Sequence, residues 1–142
     1  MRRTLLDTDI FSEVIRDKND TVRARAGAYA AEHDRLLISS VTVLEVVKGF
    51  QKARREDALE RFIKSLPALE IITLGPSEAV VAGRIYGDLE RTGQPIGRID
   101  PMIAGTAVAH GVVLATGNVE HYKRIQAFGY ELEIDNWRED AP

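Results

Sequence analysis

The chain has 142 residues, which is enough for one compact domain and too few for two of ordinary size. Its composition is that of a globular protein, 44% apolar and 29% charged, and the lack of cysteine excludes disulfides, thiolate zinc sites and a cysteine nucleophile. The net charge of −3 gives no support to nucleic-acid binding but does not exclude it, because an acidic site lowers the net charge while a bound cation restores it locally.

Short apolar runs along the chain predict five buried strands of about three to five residues each. They cover residues 4–6, 36–38, 69–72, 112–115 and 132–134. The first run is far too short for a signal peptide, and no run approaches the ~20 apolar residues of a membrane helix. We therefore expect a soluble, cytoplasmic protein without a membrane partner, folded as one domain over residues 1–142.

Longer patterns with helical spacing lie between these runs. Residues 59–66 place apolar side chains at i, i+3, i+4 and i+7, and residues 82–89 follow a looser version of the same pattern. The Ala- and Gly-rich segment 101–109 is apolar almost all round, which predicts a helix pressed against its neighbours and ended by Gly111. The alternation predicts a three-layer α/β/α domain with a central, mainly parallel sheet and helices on both faces.

Three acidic residues fall where a sheet of this kind carries its functional crevice, beyond the carboxyl ends of the strands. Asp7 follows the first strand, Glu45 lies early in the helix after the second, and Asp100 opens the Ala-rich helix. Converging carboxylates repel one another, so they need a cation or a proton to share a site, and Mg²⁺ suits oxygen ligands while keeping several waters. The lack of cysteine and of paired histidines favours Mg²⁺ or Mn²⁺ over zinc.

Each of these acids also has a purely structural explanation. Asp7 can cap the following helix, with Thr8 or Asp9 sharing that role. Glu45 ends a capping-box pattern, and Asp100 followed by proline is a standard helix start. Taken singly, each acid is explained more readily as structural than as catalytic.

Four segments of the sequence resemble the motifs of PIN-domain toxins of the VapC type. They are Leu5-Leu6-Asp7-Thr8-Asp9-Ile10, the stretch from Ser39 to Val47, Asp100-Pro101-Met102-Ile103-Ala104-Gly105-Thr106-Ala107, and Leu114-Ala115-Thr116-Gly117-Asn118 with Tyr122 after it. The closing Asn136-Trp137 also recurs near the C-terminus of many such toxins. Any one motif is weak, but their order and separation make the resemblance specific over nearly the whole chain.

The resemblance implies a PIN fold and a Mg²⁺-dependent endoribonuclease, for which Mn²⁺ is a plausible substitute. It implies that Asp7, Glu45 and Asp100 are metal ligands and that Asn118 belongs to the catalytic site. It also implies the toxin half of a VapBC-like toxin–antitoxin pair. Its partners would be an RNA substrate, a second copy in a homodimer or hetero-oligomer, and a VapB-like antitoxin whose C-terminal segment covers the site.

The last motif departs from that of many PIN nucleases, which carry a fourth acid where this chain has Asn118. An amide oxygen can contact a metal or its water without charge, so Asn118 stays a candidate. Thr116 is a candidate for orienting a ligand carboxylate, and Asp9 is a further candidate. Glu120 is acidic and close but does not match the motif, and we expect His121 to be an exposed helix residue.

Two rival functions remain open on the sequence. Asp7-Thr8-Asp9 after a strand resembles the nucleophile motif of HAD-like phosphatases, although Phe11 stands where that family usually has Thr or Val. Alternatively, a PIN-like module of weak or no activity would only bind RNA or a protein partner. Asn118 is the best argument for that second possibility.

A basic run, Arg54-Arg55 with Arg61 and Lys64, surrounds the predicted helix over residues 59–66. The simplest interpretation is a solvated helix face whose cations pair with acids of the same segment. Contact with the RNA backbone is the alternative.

Overall fold

A computed structural model describes residues 1–141 and contains a sheet of five parallel strands. Pro142, the last residue of the expected domain, lies outside the described residues. The strands are β1 (Thr4–Leu6), β2 (Leu37–Ser39), β3 (Glu70–Ile72), β4 (Val113–Ala115) and β5 (Ile134–Asp135), in the spatial order β3-β2-β1-β4-β5. β1 is central, and its Leu5 pairs with Leu37 on one side and Leu114 on the other.

Helices connect every two successive strands, because parallel neighbours cannot be joined by a tight turn. They are α1 (Thr8–Arg16), α2 (Asp20–His33), α3 (Ser40–Lys52), α4 (Glu56–Ser65), α5 (Pro76–Arg91), α6 (Ile99–His110) and α7 (Val119–Gln126). A short 3₁₀ turn over Leu66–Ala68 follows α4. Within residues 1–141 none of the helices combines the length and the apolar character that crossing a bilayer requires.

Two hydrophobic cores lie on opposite faces of the sheet, since successive side chains of a strand point to opposite sides. Leu5 of β1 belongs to the core that includes Ile85 of α5 and Ile103 of α6. Leu6 belongs to the other core, with Phe11 of α1 and Phe62 of α4 among its members. The expected three-layer α/β/α arrangement with a parallel sheet is confirmed.

Two helices begin at positions other than those the sequence predicts. The side chain of Ser39 caps α3 by accepting a hydrogen bond from the Val41 N–H at 3.0 Å, so Glu45 lies beyond the first turn and makes no capping box. α6 begins at Ile99, which places Asp100 inside its first turn rather than at its cap. Neither acid is therefore needed to cap its helix.

α5 and α6 pack against each other more closely than ordinary side chains allow. A Cβ atom added at Gly105 of α6 would lie 2.5 Å from the Cα atom of Ala82 in α5. Because the obstacle is backbone, it cannot move aside as a flexible side chain would. The close approach fixes α6, which carries Asp100, against its neighbour.

We expect Gly105→Ala to destabilise the fold by about 1–3 kcal/mol, because overpacking forces the two helices apart. Gly83→Ala is the matched control, since Gly83 is an exposed residue of α5 and its added Cβ atom would meet no atom within 4 Å. That control should stabilise the protein by about 0.4–1 kcal/mol through the unfolded chain. Urea unfolding of both variants measures the difference, and equal effects would contradict the close packing.

Candidate active site

Asp7 lies at the carboxyl end of β1 and is 1% exposed. Its Oδ1 accepts a hydrogen bond from the Thr8 N–H at 2.8 Å, which caps α1 as one sequence interpretation proposed. Its Oδ2 accepts from the Thr116 hydroxyl at 2.8 Å and from the Tyr122 hydroxyl at 3.0 Å. A carboxylate offers about four acceptor positions, so these three hydrogen bonds leave one position of Asp7 unused.

Two further carboxylates, those of Asp9 and Asp100, stand close enough to Asp7 to repel its charge. Burial first, and then the negative charges of Asp9 and Asp100, raise the pKa of Asp7 to about 8. Burial also raises the pKa of Asp9, against the opposing effects of the Gly117 N–H and the Arg138 guanidinium. The cluster therefore has an excess of negative charge that a proton or a metal cation would relieve.

Asp100 lies half-buried in the first turn of α6 and is held by a histidine. Its Oδ2 is 2.8 Å from Nδ1 of His121 in α7, so two different helices meet at this carboxylate. His121 lies on a helix as expected and its side chain is 39% exposed, but the fold also brings it onto Asp100, a contact that the sequence did not predict. The contact aligns one oxygen of Asp100 and leaves the other available.

Glu45 of α3 joins the site through Thr8. The Thr8 hydroxyl donates a hydrogen bond to Oε1 of Glu45, and the Thr8 N–H donates to Asp7. The hydroxyl of Thr42 lies 3.0 Å from that of Thr8 and supports it. Thr8 thus connects the carboxylates of two elements that are distant in sequence.

The loop after β4 brings Thr116 into the site but leaves the side chain of Asn118 at its edge. The Thr116 hydroxyl accepts a hydrogen bond from the Asn118 N–H at 2.9 Å while it donates to Asp7. Asn118 is exposed, and its side chain forms no cap for α7. Glu120 is also exposed, and its carboxylate lies 3.5 Å from the ammonium of Lys123. The backbone of Asn118, rather than its amide, braces the turn.

Arg138 and the hydroxyl of Tyr122 are contacts of this site that sequence reasoning missed. Arg138 approaches Oδ2 of Asp9 at 3.5 Å, over a glycine: a Cβ atom at Gly117 would lie 1.9 Å from Nη1 of Arg138. Trp137 is 2% exposed and its ring packs against that of Tyr29, which anchors the segment. The recurring Asn136-Trp137 pair was the only sequence signal that pointed here.

Comparison with known proteins decides the family. The family model for the PIN domain matches residues 4–126. A curated relative, the tRNA(fMet)-specific endonuclease VapC of Salmonella typhimurium, is 32% identical over 141 residues, which cover 96% of this chain and 99% of the relative. The chain belongs to the VapC family of PIN-domain ribonucleases.

Solved structures of VapBC complexes share the fold of this VapC-family chain. A crystal structure of DNA-bound VapBC from Salmonella typhimurium superposes with a TM-score of 0.81 at 30% identity, over 96% of this chain and 99% of that one. The structure of VapBC2 from Rickettsia felis bound to a DNA fragment from their promoter superposes with a TM-score of 0.78 at 28% identity, over 94% of this chain and 98% of that one.

Membership of the VapC family removes the HAD-like phosphatase hypothesis. The structure agrees, because both oxygens of Asp7 accept hydrogen bonds and the carboxylate is almost fully buried. A covalent nucleophile needs an oxygen that can approach phosphorus freely. Asp7 is instead held in one orientation by these hydrogen bonds.

The residues of this VapC-family site fit a Mg²⁺ ion held by few protein oxygens. As placed, no three carboxylates or imidazoles among residues 1–141 close around one point in space. Mg²⁺ needs no such cage, because it commonly binds one or two carboxylates and keeps several waters. Burial, and then repulsion by Asp9 and Asp100, raise the pKa of Asp7, and a cation between these carboxylates would relieve that repulsion.

We expect the metal-free protein to lose stability as pH rises from about 4 towards 9. The pKa of Asp7 is about 8 in the folded protein and 3.8 for an ordinary aspartate, so the stability is fully present below pH 3.8 and is lost as pH rises through 8. Melting temperatures in EDTA measure the loss, and Mg²⁺ should restore them by binding the folded state. Asp7→Asn is the control; pH curves that run parallel for both proteins would contradict the assignment.

Proposed function

We propose that this VapC-family protein hydrolyses RNA phosphodiester bonds with Mg²⁺, or Mn²⁺ in its place, as the toxin of a toxin–antitoxin pair. The convergence of Asp7, Asp9 and Asp100 at one edge of the sheet carries the proposal, with Glu45 joined to them through Thr8. The curated relatives are named as VapC ribonucleases and endonucleases, which supports the same activity.

Asp7 and Asp100 would be the main ligands of the ion, and Glu45 would bind it directly or through water. When bound, Mg²⁺ supplies an activated water and neutralises charge on the phosphodiester. The hydroxyls of Thr116 and Tyr122 hold the carboxylate of Asp7 in one orientation. Burial and the nearby Asp7 charge raise the pKa of Tyr122, so its hydroxyl keeps the proton that it donates to Asp7.

The remaining candidates have supporting roles. His121 orients Asp100, and Asp9 holds the loop after β4 by accepting the Gly117 N–H at 2.9 Å. Asn118 is exposed at the edge of the site and would contact a water of the ion or of the substrate. The alternative function, a PIN-like module that only binds RNA or protein, rests on that neutral side chain.

The proposed partners follow from the relatives. The similar solved structures are complexes named VapBC, so we propose a VapB-like antitoxin whose C-terminal segment covers the site of this chain. We also propose a homodimer or a toxin–antitoxin hetero-oligomer, acting in the cytoplasm on RNA. We propose that residues 1–142 form a single PIN domain that carries this activity.

Neutralising either main ligand should abolish cleavage without unfolding the protein. Asp7→Asn and Asp100→Asn are each expected to lower Mg²⁺-dependent RNA cleavage by about 100-fold or more, since they remove a ligand charge. The Thr116 and Tyr122 hydroxyls can rotate to accept from an amide, so Asp7→Asn should keep the fold.

Glu120→Gln is the matched control, because it removes a nearby but exposed carboxylate and should leave cleavage unchanged. When the chain is expressed in bacteria without an antitoxin, Asp7→Asn and Asp100→Asn should relieve growth arrest, whereas Glu120→Gln should not. Full cleavage by Asp7→Asn would place the activity elsewhere in the molecule.

Asn118→Asp should tighten divalent binding and keep the fold, because it adds a negative charge at an exposed edge of an acidic site. Cleavage should rise at limiting Mg²⁺ and change little at saturation. Mn²⁺ titration by calorimetry, with Asn118→Ala beside it, measures the change. An unchanged affinity in Asn118→Asp would remove this residue from the site.

A further inference from the structure

A groove opens between α1, α3 and α4, beside the carboxylate cluster. Its volume is about 680 Å³, within the ~300–1,000 Å³ of typical ligand pockets. Thr8 and Glu45 line it at the catalytic side, and α4 lines it as far as Ser65. The groove is therefore continuous with the proposed site, through the pair that contacts Asp7.

Cations outnumber carboxylates along this groove. The lining includes Arg16, Lys18, Arg55 and Arg61, and a single carboxylate, Glu45. Throughout the described chain, Lys18, Arg55 and Arg61 form no ion pair, and the contact of Arg16 with Glu13 is a long 3.9 Å. The basic run Arg54-Arg55 with Arg61 and Lys64 is solvent-exposed, as the first interpretation expected. The expected pairing with acids of the same segment is wrong, since none of these four cations forms an ion pair among residues 1–141.

The acids of α4 interact with the start of their own helix. Glu56 and Asp57 lie in its first turn, where the exposed N–H groups of a helix attract negative charge. A smaller depression of about 420 Å³ that shares Arg55 and Arg61 contains both acids and extends to Arg54. Arg55 and Arg61 share this depression with Glu56 and Asp57 but form no ion pair with either acid among residues 1–141, so their charge is screened and not neutralised.

Aromatic surface lies among these cations. Phe50 is half-buried in the groove, and the guanidinium carbon of Arg55 lies 5.5 Å from the centre of its ring. Phe11 and Phe62 line the groove beneath, both buried. The guanidinium of Arg55 thus lies over the ring of Phe50, and both aromatic rings and guanidinium planes are surfaces on which unpaired bases stack in proteins that bind single strands.

We infer that this groove binds the single-stranded RNA flanking the cleaved bond, with phosphates on Lys18, Arg55 and Arg61 and a base against Phe50. The inference rests on the proposed ribonuclease function and specifies the path of its substrate. Unpaired cations favour a polyanion, and the aromatic ring together with continuity to the carboxylates favours RNA over an acidic peptide.

The test uses the full chain carrying Asp7→Asn, so that binding is measured without cleavage. The probe is a labelled, unstructured RNA of about 12 nucleotides, within the known range of single-strand sites. Arg55→Gln and Arg61→Gln should each weaken its binding about three- to tenfold and lower the slope of log Kd against log salt by about 0.7. Phe50→Ala should weaken binding with no change of slope.

Arg35→Gln is the matched control, since Arg35 is an exposed arginine before β2, at the edge of the sheet opposite the carboxylates. It should leave both affinity and slope unchanged. In proteins with Asp7 intact, the groove variants should raise KM for cleavage with little change in kcat, as loss of remote binding does. Thermal melts confirm that every variant is folded.

Unchanged affinity and slope in Arg55→Gln and Arg61→Gln would overturn the groove assignment, even if the parent protein cleaves RNA. If these two substitutions weaken binding of a poly-glutamate peptide but leave RNA binding unchanged, the groove binds an acidic protein partner and the RNA assignment is overturned. RNA binding that depends on the groove arginines, in a protein that shows no metal-dependent cleavage, would support the groove and reject the nuclease function.

Discussion

The buried carboxylate of Asp7 is the constraint on which the rest of the site depends. A charged group taken out of water is costly unless it is hydrogen-bonded and its charge is balanced. Its hydrogen bonds come from three parts of the chain: the start of α1 at Thr8, the loop after β4 at Thr116, and α7 at Tyr122. Among residues 1–141 no cation pairs with Asp7 itself, and Arg138 reaches only the neighbouring Asp9. That imbalance is why we propose a metal cation at this carboxylate.

The order of the strands makes that arrangement possible. β1 is central with β2 and β4 as its neighbours, so the segments that follow these three strands meet at one edge of the sheet. Each of these three strands is only three residues long, and the apolar residues of β1 are buried in the two cores. Short, buried strands leave little freedom in register, so Asp7 cannot slide away from Thr116 without exposing core side chains.

The sequence predicted the five strands, the layers and the position of the acids, because apolar runs and strand ends are local features. It could not predict the contact of His121 with Asp100, which depends on how α6 and α7 pack. The approach of Arg138 to Asp9 is still less local, since the two residues lie at opposite ends of the chain. The sequence also could not show that Arg55 and Arg61 form no ion pair with nearby acids, because a suitable spacing along a helix does not determine whether two side chains meet.

The net charge of −3 was a poor guide for a related reason: the charges are segregated rather than balanced. Carboxylates gather at the end of β1, where they repel one another, while the unpaired cations line the groove between α1 and α4. Glu45 belongs to both regions, because it lines the groove and shares Thr8 with Asp7. An RNA strand in the groove would therefore be attracted by the cations as far as Glu45. Beyond Glu45 its phosphates would be repelled by the carboxylates, unless a metal cation lay between the phosphates and those carboxylates.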